Sequence, residues 1–274
     1  MQNKFYKIFK KKSGIIIGAI HFPPLLGYPE FPGFKVSLNN ALKDLKAFES
    51  GGVDGIIFEN NYDIPHTEKV GPETVAIMTF LGEKIKKETN LPIGVSVLWN
   101  DFRAALSIAK TIGARFIRIP VFVDRVKTNY GIINGNPEKV KEFQEKIKAG
   151  NIILLVDIQV KHAQLLNKRP IEKSALEAIK SGADSLILTG KWTGDAPDLR
   201  NLVAVRKAVA DFPLLVGSGA DKENISELLK YANGAIVSTS LKEGASKNNE
   251  VNIKTWKQRI SKEKVKNFID RIGR

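Results

Sequence analysis

The sequence of 274 residues contains no cysteine, only two methionines and no long hydrophobic run. The absence of cysteine excludes disulfides, thiolate metal ligands and a cysteine nucleophile, and it suits the reducing cytoplasm, where we expect the protein to reside. No apolar stretch approaches the roughly 18 residues that span a bilayer. The apolar stretch at 13–27 follows a basic start, but His21 and the Pro23-Pro24 pair interrupt it, so we interpret it as a strand rather than a signal peptide.

Acidic residues are scarce at both ends of the chain. Residues 1–12 contain five lysines and no acid, and residues 254–274 contain eight basic residues against two acids, so the ends carry +5 and +6 of the net charge of +14. These ends could be solubilising tails, or they could attract anionic lipid or nucleic acid. The nearly neutral remainder lacks a basic stripe with interleaved aromatics, so we expect no specific nucleic-acid partner.

Short β-branched runs alternate with helical patterns along the chain. Eight runs are strand candidates: GIIIGAI, DGIIF, IGVSVL, FIRIPVF, NIILLVDI, SLILTG, LLVGSG and GAIVSTS. Eight strands alternating with helices over about 250 residues are typical of a parallel TIM (β/α)₈ barrel, which we predict as a single domain over residues 1–274. An open doubly wound sheet is the alternative.

Residues at the ends of the helical segments fit helix caps. The N-cap candidates are Asn39, Asp101 and Ser174, and the glycines at the C-terminal ends are Gly51, Gly113 and Gly182. The segment at 243–259 has little pattern, and we predict a loop there before a last helix that begins at Ser261.

The fifth predicted strand, in the segment LLVDIQVKHAQ, alternates polar and apolar residues. Asp157, Gln159 and Lys161 share one face, and the other face is valine and isoleucine. In a barrel both faces are covered, and an unpaired charge against the helices would cost several kcal/mol, on the order given for buried charges. We therefore predict that the polar face points into the barrel, with Lys161 at the C-terminal mouth, where enzymes of this architecture place their active sites.

Other strands also end in polar residues, and together they predict a functional mouth rather than a solvated rim. We predict Glu59 and Asp157 as general acid and base, because carboxylates packed into a mouth can be tuned toward neutrality. Arg118, Lys161 and His162 are expected to stabilise negative charge or to anchor a second polar group. The predicted catalytic set is Glu59, Asp157, Lys161 and His162, and the predicted substrate-binding set is His21, Asn60, Asn100, Asp101, Arg118, Thr189, Lys191 and Thr193.

The loops after the seventh and eighth predicted strands are rich in glycine and hydroxyl residues. Glycines let backbone N–H groups approach an anion, hydroxyls add donors, and a short following helix would add its dipole. Loops at these two places are the recurrent phosphate site of the fold. We predict phosphate or carboxylate binding by Gly217, Ser218, Gly219, Thr239, Ser240 and Lys242.

Three further interpretations concern a possible metal site, the role of Lys161 and two loops. No metal-ligand spacing such as His-Glu-x-x-His is present, so we predict neither a metal nor another cofactor. Lys161 could form a Schiff base, but a salt-bridged lysine is the favoured interpretation. The loop TGKWTGDAPDL could be a lid or a tight connection, and the proline-rich HFPPLLGYPEFPGF is expected to be a packed loop rather than a ligand contact.

Several blocks of sequence closely resemble the BtpA family. They are IGAIHFPPLLGYP, ENNYDIP, GVSVLWND, FIRIPVF, DIQVKHAQLLNKRPI, LILTGKWTG and LLVGSGADKENISELLKYANGAIVSTSLKEG, in family order over about residues 15–244. The resemblance implies a TIM barrel. It also implies a family named for a cyanobacterial role in photosystem I accumulation, with other members beside bacterial sugar-utilisation genes.

The family's characteristic polar residues can be carried over by position. They fall on His21, Glu59, Asn60, Asp63, Asn100, Asp101, Arg118, Asp157, Lys161, His162, Thr189, Gly190, Thr193, Gly194, Gly217, Ser218, Gly219, Thr239, Ser240 and Lys242. Ser96, Gln159 and Ser238 depart from the Asn, His and Gly that are usual there. Gln159 removes a proton shuttle or metal ligand.

Two functions follow as expectations. The first is a cytoplasmic enzyme acting on a small phosphorylated substrate, sugar-derived or nucleoside-derived, by isomerase, lyase or transferase chemistry. The second is an assembly factor for a photosystem-type complex that uses the barrel as a scaffold and its basic ends for contact with anionic membranes. We also expect a homo-oligomer.

Overall fold

The computed structural model describes residues 3–244 and 254–274, and its centre is a closed barrel of eight parallel strands. The barrel strands are β1 (Ile15–His21), β2 (Gly55–Glu59), β3 (Ile93–Ser96), β4 (Phe116–Ile119), β7 (Ile153–Ile158), β9 (Ser185–Leu188), β10 (Leu214–Val216) and β11 (Gly234–Val237). Each strand pairs with its neighbours in chain order, and β11 pairs with β1 to close the ring. All eight predicted strands are therefore confirmed, and the open sheet is excluded.

Nine helices are described in residues 3–244 and 254–274, and all but α1 lie outside the barrel strands. They are α1 (Lys4–Phe9), α2 (Phe34–Gly51), α3 (Pro72–Lys87), α4 (Phe102–Ile112), α5 (Pro137–Lys146), α6 (Ile171–Lys180), α7 (Leu199–Val209), α8 (Ile225–Leu228) and α9 (Lys262–Asp270). Their buried faces pack on the outward-facing residues of the strands in one continuous apolar core. Burial of this apolar surface is the main favourable contribution to folding.

The predicted helix ends are correct at some positions and wrong at others. Asp101 caps α4 by accepting from the Ala104 N–H, and Ser261 caps α9. Asn39 instead lies within α2, which begins at Phe34. Ser174 lies within α6, where its hydroxyl donates to Asp124 Oδ1, so a tertiary hydrogen bond replaces the predicted cap.

The barrel interior is filled by alternate residues of the strands, and α1 closes its N-terminal end. Phe5, Tyr6 and Phe9 of α1 are buried in one cluster with apolar side chains from seven barrel strands. The Phe9 and Phe116 ring centroids lie 5.8 Å apart. The amino-terminal segment is therefore part of the core rather than a free tail.

The two basic ends of the chain meet at Asp54. Lys11 Nζ lies 2.5 Å from Asp54 Oδ1, and Arg274 Nη1 lies 2.7 Å from Asp54 Oδ2. Near α9, Arg259 pairs with the buried Asp44 at 2.9 Å. Part of the terminal charge is thus neutralised within the fold.

A small antiparallel sheet, which the sequence pattern did not predict, lies beside the mouth. It consists of β5 (Arg125–Thr128), β6 (Gly131–Asn134) and β8 (Ala163–Leu165), in the order β6-β5-β8. Its apolar side chains form a cluster with Trp99, Val121 and Val160. The sheet belongs to the long connections after β4 and β7, so it covers one side of the opening.

The alternation predicted for the fifth strand ends at Ile158. Gln159 has a φ of 49° and turns the chain, and its amide donates to Arg169 O and Ser174 Oγ rather than pointing into the barrel. The prediction for Gln159 is therefore wrong, because left-handed backbone at this position breaks the twofold alternation of a strand. Asp157 does point inward, and Lys161 reaches the mouth.

Two further observations concern the chain as a whole. Across residues 3–244 and 254–274, no helix is long and apolar enough to cross a bilayer. The unpatterned loop at 243–259 falls partly on residues 245–253, outside the described residues. A single domain over residues 1–274 stays a prediction.

Candidate active site at the barrel mouth

A layer of polar side chains occupies the last inward positions of the barrel strands. Below this layer, the side chains that fill the barrel are mainly apolar. In five strands the last inward-facing residue is polar: His21, Glu59, Ser96, Arg118 and Asp157. In the other three strands the next inward position lies one residue after the strand, at Thr189, Gly217 and Ser238. The registers His21 with Glu59 and Ser96 with Arg118 set neighbouring strands at the same height. The sequence thus changes from apolar to polar at one level around the ring.

Arg118 is the centre of this layer. Its Nε and Nη2 donate to Asp157 Oδ1 and Oδ2 at 2.8 Å each, and its Nη1 donates to Glu59 Oε1 at 3.3 Å. The three side chains are at most 8 % exposed. Both carboxylates raise the pKa of Arg118, so the guanidinium stays charged. Because Asp157 uses both oxygens on Arg118, the geometry favours a positioning role for Asp157 over the acid–base role expected from sequence.

His21 and Lys161 lie next to this ion-pair cluster. His21 Nε2 is 3.8 Å from Glu59 Oε2, and burial together with nearby cations holds the pKa of His21 well below its usual value. Burial and the neighbouring Arg118 lower the pKa of the Lys161 amine to about 8. With the residues that the structure describes, Lys161 Nζ forms no hydrogen bond or ion pair, so the salt-bridged lysine favoured from sequence is not found there.

These residues form one wall of a cavity of about 340 Å³, which we call the basic compartment. Its charged lining comprises four cationic side chains against two carboxylates: Arg118, Lys161, Lys254 and Lys264 against Glu59 and Asp221. Lys264 comes from α9, near the end of the chain, and its Nζ also donates to Lys242 O at 2.7 Å. The excess of positive charge favours an anionic ligand.

The loops after β10 and β11 form the opposite wall of the basic compartment. Ser238 Oγ is buried and has no hydrogen-bond partner among the described residues. Gly219 has a φ of 65°, and a Cβ there would lie 2.0 Å from Ala196 N, so only glycine allows the two loops to pack so closely. Ser218 Oγ accepts from Gly190 N and donates to Asp195 O, which ties the loop after β9 to this wall.

Two details of the predicted anion site differ from expectation. Lys242 does not line the cavity: it is 1 % exposed, and its Nζ donates to Tyr62 Oη at 2.9 Å. The predicted helix dipole is also missing, because α8 has four residues and begins at Ile225, six residues beyond Gly219. Gly217, Ser218, Gly219, Thr239 and Ser240 do line the cavity.

Several residues predicted to bind substrate hold loops in place instead. Asn60 exchanges hydrogen bonds with the backbone of Leu98, and Asn100 does the same with Val121. Asp101 caps α4, and Thr189 Oγ1 accepts from the Lys161 N–H at 2.9 Å. None of these four lines the basic compartment. Each satisfies backbone groups where a strand gives way to a loop.

The loop after β9 reaches over the mouth. Thr193 and Gly194 line the basic compartment, whereas Lys191 is exposed and Trp192 is 60 % exposed. His162 Nε2 lies 2.8 Å from Thr193 Oγ1, and the His162 and Trp192 rings meet edge to face at 5.3 Å. By contrast, the proline-rich loop after β1 is packed, because Phe22 and Leu25 are fully buried.

A second, narrower cavity of about 70 Å³, which we call the aromatic compartment, adjoins the first. Its own walls include His66, Trp99, Pro120, Tyr130, Val160 and His162. It shares five lining residues with the basic compartment: Glu59, Asn61, Arg118, Lys161 and Thr193. Sequence reasoning missed most of this wall, because Tyr130 belongs to the β5–β6 turn and Trp99 to a loop.

A metal site is absent from the part of the chain that the structure describes, where no group of three or more His, Asp or Glu side chains is placed to hold an ion. That the protein needs neither a metal nor another cofactor stays a prediction.

Comparison with known protein families identifies the family of this chain. The profile of the BtpA family matches residues 11–267. The protein belongs to the BtpA family. A Synechocystis relative, the photosystem I biogenesis protein BtpA, is 36% identical over 230 residues, which cover 83% of this chain and 80% of the relative. A Pyrococcus horikoshii protein is 37% identical over 240 residues, covering 87% of this chain and 91% of its own.

Solved structures establish the same fold for more distant proteins. (S)-3-O-geranylgeranylglyceryl phosphate synthase from Thermoplasma acidophilum, in complex with sn-glycerol-1-phosphate, matches with a TM-score of 0.60 and 16% identity over 99% of both chains. N-(5′-phosphoribosyl)anthranilate isomerase from Pyrococcus furiosus matches with a TM-score of 0.57 and 15% identity, over 95% of this chain and 98% of its own. At these identities the likeness concerns the barrel alone.

Proposed function

We propose that this BtpA-family protein is an enzyme that binds a small phosphorylated substrate, sugar-derived or nucleoside-derived, in the basic compartment. The observation that carries the proposal is Ser238 Oγ, a buried hydroxyl without a partner among the described residues that lines a cavity with excess positive charge. Buried hydroxyls are rarely left unsatisfied, so a ligand oxygen is its expected partner.

The phosphate would lie between the two glycine- and serine-bearing loops. Gly219 brings the chain close without a side chain, and Ser238, Thr239 and Ser240 line the same wall. Lys264 supplies a cation where the sequence suggested Lys242. The two barrel neighbours named above are enzymes of phosphorylated compounds, and the fold often binds phosphate after its last two strands.

The reacting groups would lie on the opposite wall. We assign Glu59 as the general base or acid, since one of its oxygens faces His21 and the other Arg118. Lys161, whose pKa is lowered to about 8, can move a proton near neutral pH or stabilise a developing oxyanion. Asp157 would hold the guanidinium of Arg118 toward the substrate. Isomerase, lyase and transferase reactions all fit this set.

The test is binding of phosphate compounds to the purified protein. Inorganic phosphate and ribose 5-phosphate should raise the melting temperature, because a ligand of the folded state stabilises it by mass action, and ribose should not. Lys264→Gln and Ser238→Ala should weaken binding several-fold. Lys266→Gln, on the same helix and exposed, is the matched control. Equal shifts with ribose and ribose 5-phosphate would contradict the proposal.

A second candidate function is assembly of a membrane complex, which the name of the Synechocystis relative favours. Deleting residues 1–12 would not test it, since α1 fills the barrel end. Lys7 and Lys10 are exposed, so the double variant Lys7→Glu/Lys10→Glu removes positive charge from this end and leaves the buried aromatic residues of α1 in place. Loss of binding to anionic lipid vesicles in this variant, with phosphate binding intact, would support this function. Vesicle binding equal to wild type would count against it.

Three further parts of the proposal concern the setting of the protein. A cytoplasmic location is supported by the complete absence of cysteine. Self-association into a homo-oligomer and the lack of a specific nucleic-acid partner stay predictions from the sequence.

A further inference from the structure

The two compartments at the mouth adjoin each other, and the residues that line both of them include the reactive groups. The residues that line both are Glu59, Asn61, Arg118, Lys161 and Thr193. A ligand confined to one compartment would use half of the mouth. A molecule with two chemically different ends would fill both and would place its middle against Glu59 and Lys161.

The chemistry of the aromatic compartment differs from that of its neighbour. Trp99 and Tyr130 provide flat walls, and the His66 and Tyr130 rings meet edge to face with centroids 5.4 Å apart. Aromatic side chains favour stacked or edge-to-face contact with another flat ring. Its volume of about 70 Å³ is smaller than the roughly 150 Å³ of a cavity that encloses benzene, so at most a single small ring can enter it, with part of that ring remaining beside the shared residues.

A buried ring nitrogen of His66 indicates that the ligand also carries a hydrogen-bonding group. His66 is 6 % exposed, and its Nδ1 is buried with no hydrogen-bond partner among the residues described. A buried imidazole nitrogen without a partner is costly, so a ligand in this compartment should offer a hydrogen-bonding group.

The aromatic compartment also lacks charge of its own. Burial, together with the charge of Lys161 for His162, lowers the pKa values of His66 and His162 to about 4, so both rings are neutral at physiological pH. The remaining residues that line this compartment alone are uncharged. An uncharged ring is therefore the better fit, with the negative charge of the ligand left to the basic compartment.

From these features we propose that the substrate is a phosphate ester that carries a planar, uncharged single ring with polar edge groups, the ring in the aromatic compartment and the phosphate in the basic one. This inference rests on the proposed function, which supplies the phosphate end. The linker between ring and phosphate lies against Glu59 and Lys161, where the reacting bond belongs.

Three probes separate the two ends: uridine 5′-monophosphate carries both, ribose 5-phosphate lacks the ring, and uridine lacks the phosphate. By isothermal titration calorimetry, uridine 5′-monophosphate should bind at least about tenfold more tightly than either partial probe. Equal affinity for uridine 5′-monophosphate and ribose 5-phosphate would overturn the ring inference and leave the proposed function standing. No binding of either, or of inorganic phosphate, would overturn the proposed function itself.

Variants of Tyr130 locate the ring. Tyr130 lies in a half-exposed turn, so Tyr130→Ala should fold, which its melting temperature will show. It should lose most of the tenfold advantage of uridine 5′-monophosphate and keep wild-type affinity for ribose 5-phosphate. Tyr130→Phe retains the ring and should bind like the wild type. An advantage that persists in Tyr130→Ala would place the ring elsewhere and overturn the proposal.

Discussion

Arg118 and Asp157 face each other across neighbouring strands of the barrel, with two parallel hydrogen bonds of 2.8 Å between the guanidinium and the carboxylate. Bidentate pairs of this kind fix orientation as well as charge. Because both groups are buried, the pair holds the polar layer of the mouth in place, and Glu59 depends on it for its own charge partner.

Removing either side chain of the Arg118–Asp157 pair should strongly destabilise the fold. We expect Asp157→Asn to lower the free energy of unfolding by about 3–5 kcal/mol, because it leaves Arg118 buried with only Glu59 to balance it. Urea denaturation measures this loss. The double variant Arg118→Met/Asp157→Asn should cost at least about 1 kcal/mol less than the sum of the two single changes. Additive costs would mean that the two side chains act independently.

Gly219 should be needed for the close approach of two loops. Gly219 and Gly113 have nearly equal φ values, 65° and 70°, but only at Gly219 would a Cβ meet other atoms. Gly113→Ala should cost about 1–2 kcal/mol from left-handed strain alone. Gly219→Ala should cost more and should also weaken ribose 5-phosphate binding, measured by calorimetry. Equal stability losses with unchanged binding would contradict this role.

The aromatic residues of α1 should contribute directly to stability. Phe9 is 5 % exposed and packs on Phe116. Phe9→Ala should lower the free energy of unfolding by about 3–5 kcal/mol through lost burial and the cavity left behind. Lys7→Ala, two residues earlier in the same helix and exposed, should change it by less than about 0.5 kcal/mol. A similar small effect of both changes would show that α1 does not stabilise the barrel.

His66 should make the fold sensitive to acid. Its pKa is lowered by burial to about 4, so between about pH 6.5 and pH 4 the unfolded chain takes up a proton that the folded chain does not. The stability that the neutral imidazole contributes is present above pH 6.5 and is lost as the pH falls. His66→Asn lacks this linkage.

Urea unfolding at pH 7 and pH 5 compares the two proteins. The wild type should lose roughly 2 kcal/mol more than His66→Asn between these pH values, since a shift of one pKa unit corresponds to about 1.4 kcal/mol. The comparison cancels the effects of carboxylates and of His162, which both proteins share. An equal loss in both proteins would mean that His66 titrates normally.

Much of the fold could be predicted because it is encoded locally. Each barrel strand is a short β-branched run, and each must be covered on both faces, so periodicity and length suffice to recognise it. The sheet β6-β5-β8 could not be recognised in this way. Its strands, RVKT, GIIN and AQL, have three or four residues and form because the two long connections happen to meet.

The site was predicted less completely, since side-chain direction in loops depends on tertiary contacts. Lys242 follows the last strand, as a phosphate-binding lysine would. Its amine instead donates a hydrogen bond to the hydroxyl of Tyr62, which is 180 residues away in sequence. Lys264 lines the cavity from the predicted last helix, but no sequence motif marks this lysine as a ligand contact. The inward direction of Asp157 followed from strand alternation, but its full engagement by Arg118 required the register of two strands.

The helix α1 precedes all eight barrel strands in the sequence, yet its aromatic face packs in one cluster with residues as late as Ile236. It cannot find its complete binding site until the last strand has been synthesised. Until then, Phe5, Tyr6 and Phe9 lack part of the apolar surface that buries them in the folded protein. Burial of the aromatic face of α1 is therefore completed only when the barrel closes.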